Sequence, residues 1–443
     1  MAIRIGRDKI LILGFFTIVI LLGSILLSLP GVFASRRLGY LDALFTATSA
    51  VCVTGLITVD TAQFSLFGQS VIMVLIQTGG LGIIAFTTLF VALPRRRISI
   101  ISQGVISDYT LPEVEFRPKT VLKAIVKYTL IFEAFGFAIY AARFSALGQP
   151  LGSAIFQGLF HAVSAFCNAG FSTFTNSLED FRSDFIVNGV TMILITLGGI
   201  GFIVIKDLRK YLSGQRTHLS FHSKIVLKTS LALVLIGTGA FFILEYQGAM
   251  KGFPLGERLL ASLFQAVTPR TAGFDTIAQS ELGPGSRFLT ILLMFIGASP
   301  ASTGGGVKTT VLFVLVMTAF RYHETSDTIC VDGRSLSPRT VEKAIGVVVK
   351  AFGIILIIAG SIALAESAQG HDTQFSDIIF ETISALGTVG LSTGITSTLG
   401  GISKALLIAT MFIGRVGLFA LALPKTERDV EGYALLPKAD IML

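Results

Sequence analysis

Four stretches of this chain repeat one arrangement of residue types: LFTATSAVCVTGL (44–56), LFHAVSAFCNAGF (159–171), LFQAVTPRTAGF (263–274) and IFETISALGTVGL (379–391). Each has an early Phe, a Ser or Thr in its middle, and a glycine before a closing Leu or Phe. The glycines are Gly55, Gly170, Gly273 and Gly390. What such residues offer chemically is their main chain. Glycine admits left-handed backbone and puts no side chain in front of neighbouring carbonyl groups. A carbonyl oxygen without a helix partner is costly in an apolar setting unless something satisfies it, and a dehydrated cation does so. The chemistry to expect is cation coordination by backbone oxygens, in four groups: Val53, Thr54 and Gly55; Asn168, Ala169 and Gly170; Thr271, Ala272 and Gly273; Thr388, Val389 and Gly390.

The rest of the chain supplies the apolar setting. Of its 443 residues 52% are hydrophobic and 14% charged, against about 25% charged in soluble domains. Mean hydropathy is +0.77. The net charge of +8 would suggest nucleic acid in a soluble chain, but here Lys and Arg gather in the breaks between apolar spans, which is a topology signal. Windows long enough to cross a bilayer fall at about 10–30, 67–93, 121–143, 184–206, 224–246, 287–322, 341–365 and 401–423. Shorter apolar segments near 41–51, 155–166, 258–267 and 374–386 lie between them and reach only about half way across. The expected fold is an all-α polytopic membrane protein with eight transmembrane helices plus four re-entrant pore helices. These form four span, half-helix, span repeats around a pseudo-fourfold pore: 1–93, 119–206, 224–322 and 341–423, followed by a cytoplasmic tail, 424–443. Glycines recur inside the second span of each repeat, at Gly79, Gly198, Gly297 and Gly414.

The N-terminus and the loops 94–123, 206–228 and 321–343 hold most of the cations, so that side and both termini are expected in the cytoplasm. The half-helices then enter from the outer face and point their partly negative C-terminal ends at the membrane centre, which favours a cation there. A signal peptide cut after Ala34 is the alternative for the first span, Ile10 to Pro30, but that apolar stretch exceeds a normal signal core. Cys52, Cys167 and Cys330 are too few and scattered for a disulfide framework and are expected reduced. Basic segments such as Arg95-Arg96-Arg97 and 206–216 read as lipid-facing charges or as a docking site for a partner.

Residues 297–308, GASPASTGGGVK, break the second span of the third repeat. A phosphate-binding loop is excluded because Val307 separates Gly306 from Lys308. Its glycines deny a continuous helix, and irregular backbone at membrane depth belongs beside a water-filled path. A passive kink is the alternative. Arg415, midway along the last span, should face the pore or a buried partner. Arg270 is expected to stabilise the negative end of the third half-helix, Lys308 to face the pore or a buried partner as Arg415 does or else to snorkel at the cytoplasmic end of the loop, and His161 to be a hydrogen-bonded packing residue.

Thr388-Val389-Gly390 reproduces the first three residues of the potassium-channel loop Thr-Val-Gly-Tyr-Gly, and the other three groups are looser versions lacking the following Tyr-Gly. With the stretch GASPASTGGGVKTT and the motif FIGRVG, the chain from about 10 to 423 resembles the Ktr/Trk and plant HKT superfamily of potassium transporters, most closely its KtrB-type membrane subunits. The resemblance implies K+ as the transported ion with Na+ a candidate activator and no cofactor, in the inner membrane of a bacterium. It also implies a homodimer with one pore per subunit and a cytosolic ring of nucleotide-binding regulatory subunits. It makes 297–308 a flexible gate under the filter, through Gly297, Ser299, Ser302, Thr303, Gly304, Gly305, Gly306 and Lys308, with Arg415 just below. A coupled secondary transporter carrying Na+ or K+ with a co-ion is the alternative function. It predicts inverted repeats, whereas these four run in one direction. An intramembrane enzyme would need paired catalytic residues at depth, and the spans offer few acids or histidines and no evident seat for catalysis.

Overall fold

The computed structural model describes residues 7–33, 38–92, 118–321, 329–331 and 334–417 and builds them mostly from helices. Arg95-Arg96-Arg97, the tail 424–443 and the end of the last expected span lie outside the described residues. Four long helices pass the length and hydropathy requirement for crossing a bilayer: α1 (Arg7–Leu27), α4 (Pro118–Ala146), α8 (Phe221–Leu244) and α12 (Pro338–Ala368). Only 22% to 33% of each apolar window is buried, and residues such as Ile236 and Leu364 are 70% and 75% exposed. Apolar side chains turned outward to that extent belong against lipid.

Four shorter helices lie inside this frame: α2 (Tyr40–Val51), α5 (Leu151–Cys167), α9 (Leu255–Val267) and α13 (Phe375–Gly387). Their C-terminal halves are fully enclosed, for example Phe45 to Val51 and Phe380 to Gly387. Helices so short gain their stability from that packing rather than from propensity. Two of them stop where the chain turns left-handed, at Asn168 (φ 61°) and Thr388 (φ 51°); after α2 and α9 the left-handed residue comes slightly later, at Val53 and Thr271.

At the places of the expected second spans stand α3 (Leu66–Ala92), α6 (Phe185–Gly199), α10 (Pro284–Phe295) with α11 (Thr309–Arg321), and α14 (Gly401–Phe412). Each begins at an anchored N-terminus: Asp184 caps α6 through Ile186 N and Val187 N, and Pro284 occupies the first turn of α10. Packing links each second span to the short helix of the next repeat, α3 to α5, α6 to α9, α10 to α13 and α14 to α2, so the order closes on itself.

At one end, every repeat ties its first span to the start of its second. Ser65 donates to Val32 O at 3.0 Å, Arg143 pairs with Asp184 at 2.7 Å, Glu245 accepts from Gly283 N at 2.9 Å, and Glu366 accepts from Gly400 N at 3.0 Å. Glu245 and Glu366 are buried, so these bonds also satisfy carboxylates that would otherwise be orphaned.

Three features depart from the sequence reading. The window 184–206 is not one helix: it ends at Gly199 and restarts as α7 (Phe202–Leu212) after a 102° bend, with Gly201 at φ 92°. The last span gives way at Ile413–Gly417 to a π-helical turn. The chain is not all-α, because Ile329–Val331 and Arg334–Leu336 form a small antiparallel pair, β1 and β2, in the loop before α12. Ile329 and Val331 are buried there.

Candidate functional site

Val53, Asn168, Thr271 and Thr388 have φ values of 54°, 61°, 69° and 51°, and Gly55, Gly170, Gly273 and Gly390 have 95°, 70°, 73° and 98°. The residue between, Thr54, Ala169, Ala272 or Val389, is not left-handed in any repeat. In an extended strand successive carbonyls alternate sides; left-handed residues at every second position turn them toward one side. Four non-glycine residues held at positive φ cost about 1 kcal/mol or more each, so the surroundings must impose the shape. A hydroxyl does much of this. Ser49 Oγ accepts from Gly55 N at 3.0 Å and Ser384 Oγ from Gly390 N at 3.1 Å, while Ser164 and Thr268 donate to Phe171 O and Phe274 O, both at 2.7 Å.

The four glycines form a ring. A Cβ on Gly55 would lie 2.5 Å from Ala169 O, on Gly170 2.8 Å from Ala272 O, on Gly273 2.1 Å from Val389 O, and on Gly390 2.2 Å from Thr54 O. Each glycine thus abuts the next repeat and the fourth abuts the first. All twelve residues singled out as coordinating groups are buried and come together around this ring, at the C-terminal ends of four helices.

The glycines of the second spans sit under the short helices. A Cβ on Gly79 would meet Val51 O at 1.9 Å, on Gly198 Phe166 O at 2.0 Å, and on Gly414 Leu386 O at 2.1 Å. In the third repeat Gly297 instead meets Gly305 O at 2.2 Å, because the loop 297–308 folds back into that place. We expect Gly79→Ala to destabilise the fold by about 1–3 kcal/mol through overpacking. Gly353→Ala, facing open space in α12, should be neutral or slightly stabilising. Thermal unfolding of the two purified variants in detergent checks this.

The loop lies directly below the ring. Gly305 N donates to Thr388 Oγ1 at 3.1 Å, a Cβ on Gly304 would be 2.0 Å from Thr271 Oγ1, and Thr303 Oγ1 donates to Phe166 O at 3.4 Å. Internally, Gly297 N donates to Val307 O at 2.8 Å, Ser302 Oγ to Ser299 O at 2.6 Å, and Ser299 Oγ bonds Thr309 Oγ1 at 2.9 Å. A Cβ on Gly306 would touch the Gly297 backbone. The break in the second repeat is the loop's other support: Ser299 N donates to Gly199 O, Thr303 N to Gly198 O, and Phe202 N to Ala301 O, at 2.9 to 3.1 Å. The GGIG run at 198–201 carried the signal for that break, though the sequence reading took Gly198 only as a recurring glycine of the repeat.

Arg415 is buried, donating to Thr303 O and, at 3.0 Å, to Gly79 O. It contacts the loop's carbonyls and ties the loop to the first repeat. Lys308 does not snorkel: its Nζ folds back onto Gly304 O and Gly305 O at 2.8 and 3.3 Å, capping its own loop. Nor does Arg270 turn to its own helix end; it reaches across to Ser230 Oγ on α8 at 3.0 Å. His161 is buried between Gln157 O and Ser172 Oγ, as a packing residue would be. Cys52 and Cys167 are free. Residues 390–394 read GLSTG, a formal nucleophile-elbow pattern overlooked in the sequence, but Ser392 donates its proton to the Glu381 carboxylate rather than to a base such as histidine. Glu179 lies near Asp180 and Glu281; burial, with the other two acids near, pushes the Glu179 carboxyl above its ordinary range.

Comparison with known proteins agrees with this geometry. A TrkH family model, described as cation transport protein, matches residues 6–428. The chain is 37% identical to the Ktr system potassium uptake protein B of Bacillus subtilis, over 96% of this chain and 95% of that one. It is 35% identical to the potassium/sodium uptake protein NtpJ of Enterococcus hirae, over 99% and 98%. Its fold matches the crystal structure of the potassium transporter TrkH from Vibrio parahaemolyticus with a TM-score of 0.75 at 20% identity, covering 95% of this chain and 85% of that one. On the family match and these near full-length identities, this chain is a membrane protein belonging to the TrkH family of cation transport proteins.

Proposed function

We propose that the chain is the ion-translocating subunit of a potassium uptake system, with the glycine ring as its selectivity filter. K+ sheds water at the ring and is held by backbone oxygens of the twelve residues around Gly55, Gly170, Gly273 and Gly390. The observation that carries this reading is the closed contact of four left-handed glycines at the ends of four buried helices. The arrangement comprises eight transmembrane and four re-entrant helices in four repeats around a pseudo-fourfold pore, bounded as in the sequence reading. The loop 297–308, latched by Arg415, is the gate. Both termini are cytoplasmic, in a bacterial inner membrane. Two copies form a homodimer, and control comes from a cytosolic nucleotide-binding ring.

The relatives' names include both potassium and potassium/sodium uptake, so ion preference is the quantity to measure. Expression in a bacterium lacking its potassium-uptake systems should restore growth at low K+ and support rubidium uptake. Gly55→Ser should abolish rescue or turn uptake toward Na+. Unchanged rescue and selectivity in that variant would refute the filter assignment. A coupled transporter would instead need a co-ion gradient for rubidium uptake into vesicles.

A further inference from the structure

In three repeats a side chain of the short helix is tied to the backbone or side chains just beyond the ring glycine, and the first repeat lacks that tie among the described residues. In the second repeat His161, nine residues before Gly170, bonds Ser172, two after it, at 3.0 Å. In the fourth repeat the same two places hold Glu381 and Ser392, and the tie is stronger. Glu381 is fully buried and accepts from Ser392 Oγ at 2.6 Å, Thr396 Oγ1 at 2.6 Å and Thr393 N at 3.0 Å. In the third repeat the tie runs through an intermediary. Gln265 Nε2 donates to Gln279 Oε1 at 2.9 Å, and Gln279 Nε2 donates at 2.7 Å to Asp275, two after Gly273. In the first repeat those places hold Thr46 and Ile57. Ile57 has no polar side-chain atom, and Thr46 Oγ1 has no partner among the described residues.

We infer that Glu381 is a positioning residue for ion selectivity, fixing the exit of the fourth filter segment beside the one quarter of the ring that has no such tie. This rests on the filter reading. The ring contact explains why the place matters: Gly390 abuts Thr54 and Gly55. Ser49 and Ser384 hold the two ring glycines themselves, but beyond Gly55 the first segment has no tie of this kind and leans on its neighbour. Without Glu381, two adjacent quarters lack the tie beyond the glycine, the ring can contract or spread there, and oxygens spaced for one ion no longer favour it over another. A carboxylate suits the task because its oxygens can accept several bonds at once, and bonds to a charged acceptor are stronger than neutral ones.

The test uses the full chain in the potassium-uptake-deficient bacterium, measuring rubidium uptake, its KM, and sodium uptake, each normalised to the amount of protein in the membrane. Glu381→Ala is expected to raise the sodium-to-rubidium ratio and the KM for rubidium by about tenfold, the scale of a single hydrogen bond to a charged group. Glu381→Gln, whose amide oxygen still accepts from Ser392, should fall between wild type and Glu381→Ala. A purely structural role would lower abundance without moving the ratio. Should Glu381→Ala fail to reach the membrane, Ser392→Ala, which keeps the carboxylate and removes one donor, carries the same prediction at smaller size. A wild-type ratio in these variants, with an altered ratio in Gly55→Ser, overturns the inference and leaves the filter reading standing. A wild-type ratio in Gly55→Ser as well overturns both.

Discussion

Gly390→Ser is expected to cut rubidium uptake by about a hundredfold or to hand the pore to Na+, while Gly394→Ser, four residues on, has a much smaller effect. The two glycines share nearly the same backbone, φ 98° and 99°, so the strain of a side chain at positive φ, about 1–3 kcal/mol, is common to both. They differ in what the new Cβ meets. At Gly394 it meets open space; at Gly390 it would lie 2.2 Å from Thr54 O and 2.9 Å from the Gly55 Cα. Neither backbone atom can step aside without moving the first quarter of the ring. The added overpacking of about 1–3 kcal/mol acts where the oxygens must be spaced for an ion, and about 3 kcal/mol is roughly a hundredfold in an equilibrium. Rubidium uptake by the two variants at matched membrane abundance is the check, and equal effects would place the ring away from the ion path.

The second large effect is expected at Arg415. Its guanidinium is buried and holds two carbonyls that belong to different repeats, Thr303 O on the loop and Gly79 O on the first repeat. Hydrogen bonds from a charged donor contribute about 1.5–3 kcal/mol each. Arg415→Met keeps much of the length and loses both, so the loop should shift toward its displaced form by about a hundredfold. A fixed positive charge also leaves the route of a cation. The expected result is faster rubidium uptake that no longer depends on a cytosolic partner. Shortening 300–306 should act in the same direction, by removing the backbone that reaches Gly198 and Phe202. Flux that stays partner-dependent in both variants would show that 297–308 is a passive bend.

What the sequence made legible and what it hid have physical reasons. The four glycine stretches could be aligned by eye because left-handed backbone restricts residue choice at each ring position, and that restriction repeats in each unit. Gly79, Gly198 and Gly414 were visible for a similar reason, since nothing larger fits under a helix end at about 2 Å. The bend at Ile200-Gly201 was hidden because both flanks are apolar, and hydropathy does not distinguish one helix from two joined at 102°. Arg270 was assigned by proximity along the chain, whereas the structure joins it to Ser230, forty residues away; Lys308 meets carbonyls of its own loop, as the reading that likened it to Arg415 expected, and does not snorkel. The outer ties Glu245 to Gly283 and Glu366 to Gly400 escaped because a backbone N–H acceptor pair leaves no mark on the residue that donates. That the twelve residues hold K+ remains the proposal the uptake assays address.

The folded-back loop beneath one quarter of the ring has a consequence for symmetry. An assembly of four identical chains would carry such a loop under every quarter or under none, since any insertion would be copied fourfold. Placing the quarters on one polypeptide lets a single stretch, between Gly297 and Lys308, fold back under one of them alone. It also lets the second quarter give up a straight helix to hold that loop. With those roles divided, the quarters are not interchangeable.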